Sequence, residues 1–161
     1  MPLFIGAMKT KTSLLTLAVW LAAGALCFAA NPHMGTWKLN EKKSKIASGM
    51  GKNQTVTYSS MLFQTKVTVD GVDAHGKATH SEWMGMFDGK DHKVTGSDIE
   101  DTRAYKKIDE RTMEFMSKKD GKTTINGRIE VSADGKSRTV TTDVTDEKGK
   151  KHHNVAFYDK A

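Results

Sequence analysis

The sequence predicts an all-β domain, an antiparallel up-and-down β-barrel of about eight to ten strands. Three observations carry that prediction. From Thr36 onward apolar residues recur at every second position, the mark of a strand with one buried face, and no stretch repeats them at helical spacing. Breaks centred on glycine, several of them Asp-Gly pairs, separate these stretches at hairpin spacing. One apolar side per strand over that many strands calls for closure, because an open sheet would leave two unpaired edges.

In chain order, Gly35–Asn40 puts Trp37 and Leu39 on one face, and Asn53–Ser60 does the same with Val56 and Tyr58. Leu62–Asp70 aligns Phe63, Val67 and Val69, and Ala78–Asp88 aligns Trp83 and Phe87. His92–Gly96 is short, with Val94 as its only large apolar residue, so it is the one strand the count could lose. Thr102–Asp109 offers Ala104 and Ile108, Thr112–Lys119 offers Met113 and Phe115, and Thr123–Ser132 offers Ile125, Ile129 and Val131. Ser137–Asp146 contributes Val140 and Val144, and His152–Lys160 contributes Val155 and Phe157. The opposite faces then carry Lys66, His80, Glu82, Arg103, Lys107, Glu114, Arg128 and Glu130, whose opposite charges suit cross-strand pairing.

The breaks have a common chemistry. Asp70-Gly71, Asp88-Gly89, Asp120-Gly121 and Asp134-Gly135 are read as turns, with His75-Gly76 and Lys148-Gly149 at two more, since Asp and Gly tolerate the positive φ of tight hairpins. Lysine follows glycine at Lys52, Lys77, Lys90, Lys122, Lys136 and Lys150, where a charge at the start of a strand discourages edge-to-edge association. Gly85 and Gly127 fall inside strands and suit bulges or sharp bends; Asn126-Gly127 could instead be a hairpin turn that splits its strand.

The chain has 161 residues, 37% hydrophobic and 27% charged, which is the composition of one globular domain. Its first thirty residues read differently. Lys9 and Lys11 precede an apolar run from Leu14 to Ala30 that ends in small residues, the order of an export signal, with cleavage after Ala29 or Ala30. No basic cluster follows to stop transfer, and Leu26 before Cys27 is too large for a lipoprotein site. The domain expected is therefore 31–161, periplasmic or extracellular, free of cysteine once Cys27 departs, with a formal charge lowered from +6 to +4 by loss of Lys9 and Lys11.

No catalytic residue is expected. The chain has no Gly-x-Ser-x-Gly, no cysteine nucleophile and no phosphate-binding glycine loop, and the carboxylate pairs Glu100-Asp101 and Asp109-Glu110 are placed at turns with nothing to shift their pKa. His33, His75, His80, His92, His152 and His153 make no metal set, since neighbours on a strand point to opposite faces, and no cofactor is implied. Mild basicity without a basic stripe argues against nucleic acid.

Gly35-Thr36-Trp37-Lys38-Leu39 opens the domain and Val155-Ala156-Phe157-Tyr158-Asp159-Lys160 closes it. A Gly-x-Trp in the first strand of such a barrel resembles the lipocalin and fatty-acid-binding-protein (calycin) superfamily, and the ending is similar to the last strand of the fatty-acid-binding proteins; the overall pattern also resembles small exported bacterial proteins of lipocalin-like type. The resemblance implies that Trp37 closes the barrel floor, that Gly35 lets the chain approach closely, and that a basic residue, Arg138 or Lys160, packs over the indole. Ala156 stands where the fatty-acid binders place a carboxylate-holding arginine, and Asn40 to Asn53 leaves little room for their helical lid.

The function expected is an exported, non-catalytic binding protein that holds a small hydrophobic or amphipathic ligand in a cavity lined by Tyr58, Phe63, Val67, Trp83, Phe87, Phe115 and Ile129. The alternative is a solid barrel filled by those side chains, which contacts an envelope partner or protease through its loops.

Overall fold

The computed structural model describes residues 30–161, so nearly all of the expected export signal, Cys27 included, lies outside the described residues. Ten strands follow one another without a helix among those residues: β1 Gly35–Leu39, β2 Lys52–Met61, β3 Gln64–Val72, β4 Ala78–Gly85, β5 His92–Thr95, β6 Thr102–Lys107, β7 Thr112–Lys119, β8 Lys122–Val131, β9 Ser137–Thr145 and β10 Lys151–Lys160. Each pairs antiparallel with its neighbours in sequence, and β1 pairs with β10 to close the barrel. This up-and-down architecture is the one expected, and it is consistent with a calycin-like fold.

The antiparallel order gives the barrel two distinct rims. At the rim where β1 begins lie the residues before Gly35, the β2–β3 turn, the β4–β5, β6–β7 and β8–β9 connections, and Ala161. At the opposite rim lie the 40–51 segment and the remaining hairpins. That segment contains turns and no helix; it runs along the outside of β10, where the Lys45 amide donates to the Val155 carbonyl at 2.7 Å and the Asn40 amide to the Phe157 carbonyl at 2.8 Å.

Its position corrects the reading of β10. Asn154, Ala156 and Tyr158 are buried in the barrel, whereas Val155 and Phe157 lie on the other face, half-buried beside the 40–47 chain. Both faces of β10 are apolar because both are covered, so alternation could not tell them apart. β6 is inverted too. Arg103 and Tyr105 point inward, Ala104 faces out, and Ile108 is exposed in the turn that follows.

Asp70-Gly71 is likewise no turn but part of β3, opposite a bulge at Gln54, where Asn53 pairs with Gly71 and Thr55 with Asp70. A Cβ on Gly71 would lie 2.1 Å from the Lys52 carbonyl oxygen, so glycine is needed there for close backbone approach. Gly127 makes neither bulge nor turn: β8 is continuous, and the Phe115 ring occupies the space that a Cβ would fill, 2.1 Å away. Gly85 similarly makes room for His92 and Trp83.

Candidate functional site

The barrel interior is built in three layers. At the rim where the chain enters, the buried Trp37 indole donates through Nε1 to the His33 carbonyl at 2.9 Å, which fixes the segment before β1 across the barrel end. Both candidate basic residues cover this indole: the Arg138 guanidinium carbon lies 4.8 Å and Lys160 Nζ 4.9 Å from the ring centroid. Arg138 also lies over Tyr58 at 5.1 Å and Tyr158 at 4.9 Å, so the positive charge is met by three aromatic faces. Its Nε and Nη1, and both ring nitrogens of His33, have no hydrogen-bond partner. Burial first, then the charge of Arg138, lowers the His33 pKa to about 4, so the imidazole is neutral near pH 7. Burial pushes the Tyr158 hydroxyl up to about 12 despite Arg138.

The middle layer is aromatic. Trp83 meets Tyr105 edge-on at 4.8 Å between ring centroids and stacks on Phe87 at 6.2 Å; Tyr105 in turn contacts Tyr58, Phe87 and Phe115 at 5.6 to 6.2 Å. Trp83 Nε1 donates to the Arg103 carbonyl at 2.8 Å. These rings interlock at the separations of packed aromatic pairs.

The third layer, toward the opposite rim, is a buried ion pair. Arg103 donates through Nε and Nη2 to both carboxylate oxygens of Glu100, through Nε to Ser117 Oγ at 3.3 Å, and through Nη1 to Tyr105 Oη at 2.8 Å. Burial alone would lower the Arg103 pKa, but Tyr105 and Glu100 overcome it and raise it. Burial also raises the Tyr105 pKa against the pull of Arg103. Glu100 is thus not a turn carboxylate in water but a buried anion, 4% exposed, neutralised by its neighbour. Alternation assigned Arg103 to solvent by its charge; Tyr105, two residues on and far larger than Ala104, was the signal for the correct face.

Of the seven residues expected to line a cavity, Tyr58, Val67, Trp83 and Ile129 are buried together in the core, and Phe87 and Phe115 pack against it half-buried. Phe63 is elsewhere. It sits at the β2–β3 turn and is 91% exposed, beside Leu62 at 98%. The β2–β3 turn falls on Leu62 and Phe63 rather than at Met61, with Leu62 at φ 49°, so Phe63 lies in the turn and β3 begins only at Gln64.

Two concavities lie outside the barrel. One, of about 700 Å³, is formed by Ser60, Met61, Leu62, Phe63, Gln64, Met84 and Met86. The other, about 240 Å³, lies beside it between Lys66, Glu82, Met84, Lys93 and Thr95. Met61, Met84 and Met86 are each at least two-fifths exposed, so with Leu62 and Phe63 they gather exposed apolar side chains around this one turn. Among the described residues no group of three or more His, Cys, Asp or Glu is placed to hold a metal ion, and no helix is long and apolar enough to cross a membrane. Compared with protein families and with curated proteins, the chain matches none.

Proposed function

We propose that this chain is an exported, non-catalytic interaction protein, a calycin relative whose barrel is a solid support and whose working surface is the apolar β2–β3 tip. The observation that carries this reading is the contrast between the two. The aromatic layer fills the centre, with the Trp37 and Arg103–Glu100 layers on either side of it, while Leu62 and Phe63 stand almost fully in water. A contiguous exposed apolar patch is rare on a monomer and marks a contact surface. Kinship with the calycins is supported by Gly35-Thr36-Trp37 and by the two cations over the indole.

The test pairs native mass spectrometry of the exported protein with binding of the parent and of the double variant Leu62→Asn/Phe63→Ser to fractionated envelope. The expected result is a bare protein, and a variant that folds normally but no longer associates with the envelope. A stoichiometric small molecule carried through purification, with the tip variant behaving as the parent, would replace this reading by ligand storage among Tyr58, Val67, Trp83, Phe87, Phe115 and Ile129.

A further inference from the structure

We infer that the β2–β3 tip docks on a lipid bilayer, with Leu62 and Phe63 entering the acyl region and Lys66 and Lys93 facing the headgroups; this rests on the proposal above that the tip is the working surface. Three observations point to lipid as the occupant. The first is size. The two-residue hairpin turn at the barrel rim leaves neighbouring side chains 98% and 91% exposed. Even with Met61, Met84 and Met86 beside them, five apolar residues fall well short of the roughly 20–30 residues a side of a stable protein interface, whereas a fluid interface accepts a small apolar insert.

The second is the choice of residues. Leu62 occupies the left-handed region at φ 49°, where Asn or Gly would sit without strain, and Asp120 in the β7–β8 turn adopts the same φ with a residue suited to it. A bulky apolar residue at such a position sacrifices local stability, and strain of this kind clusters where a side chain has work to do.

The third is layering. Behind the tip come the thioether side chains of Met61, Met84 and Met86, and next to those come Lys66 and Lys93. Lys66 is paired with Glu82 at 2.7 Å; Lys93 is exposed and belongs to no ion pair of the described residues. An apolar end followed by lysines is the order that matches acyl chains followed by anionic headgroups.

The experiment uses the exported protein, its Phe63→Trp variant and the double variant Leu62→Asn/Phe63→Ser. Vesicles are phosphatidylethanolamine with phosphatidylglycerol, and phosphatidylcholine alone. Since all three proteins share one amino terminus, differences between them belong to the tip. The expected results are a blue shift of the added indole on vesicles, its quenching by brominated acyl chains, and a co-sedimentation loss of at least about tenfold in the double variant. Lys93→Gln should weaken binding to the anionic vesicles and leave phosphatidylcholine binding unchanged.

An indole at 63 that stays water-exposed and unquenched overturns the inference. If sedimentation velocity shows a dimer abolished by the double variant, the occupant is a second copy; lipid docking falls while the tip remains the working surface. If tip variants change neither and a ligand co-purifies in the barrel, the reading of the tip falls as well.

Discussion

Trp37 is the residue on which three others converge, and removing it should be felt throughout the floor of the barrel. Its indole is fully buried, with Arg138 and Lys160 both over the ring, so Trp37→Ala should cost about 3–5 kcal/mol in denaturant melts through lost transfer energy and the cavity left behind. Lys38→Ala, on the exposed face of the same strand, should change stability by about 0.5 kcal/mol or less. Glu100 behaves in the opposite way to a surface carboxylate. Glu100→Gln strips the anion from a buried guanidinium and should cost about 3–5 kcal/mol, while Glu82→Gln, which breaks the exposed pair with Lys66, should cost about 1 kcal/mol or less. His33 supplies a pH signature. Its folded pKa of about 4 lies below the ordinary 6.5, so the unfolded chain binds more protons between these values. Stability is therefore full above pH 6.5, falls as the pH drops toward 4 by roughly 3 kcal/mol in all, and levels off below that. Urea melts across this window should show the slope in the parent and lose it in His33→Leu. The aspartates whose pKa is lowered by turn amides, Asp73 and Asp109 among them, act in a more acidic range.

Among the elements, the β2–β3 hairpin separates stability from use. Leu62→Asn places a residue that tolerates positive φ where leucine is strained, and should raise the melting free energy by about 1 kcal/mol even though it removes apolar surface from the protein. A destabilised Leu62→Asn would mean that the leucine packs on its own barrel. What was legible in the sequence differs strand by strand for physical reasons. β2, β3, β7 and β8 have one covered face and one wet face, so Val56, Tyr58, Val67, Met113 and Ile129 were assigned correctly by alternation alone. β10 has two covered faces and β6 buries a charge, and in both the rule that polar means outward gives the wrong side. The glycine breaks were legible where a turn needs positive φ, as at Gly121 and Gly149, and misleading at Gly71, where glycine answers to a backbone crossing at close range. The tip itself was not legible, because Phe63 has the same parity as the buried Val67 and Val69; nothing in a period-two pattern tells a strand residue from a turn residue when both are apolar.

At the scale of the molecule, closure was legible because the number of one-sided strands left no other way to hide the edges. The contents of the barrel were not, since the aromatic rings that line a cavity are the same ones that fill a core, and only their mutual distances decide. The barrel is sealed by the ladder between β1 and β10, elements from the two extremes of the described chain, with the Ala161 amide still donating to the Thr36 carbonyl at 2.9 Å. A chain truncated after Lys150 loses β10, both ladders that it makes and the Lys160 contact to the indole, and should show no cooperative transition by circular dichroism. The same ladder times the birth of the protein. While β10 is still being made, the opening strand has no partner on one side, the Trp37 floor has no roof from Lys160, and the sheet stays open. Contacts of such long sequence separation form late and slowly, so the chain stays open to threading until that strand has been made and paired.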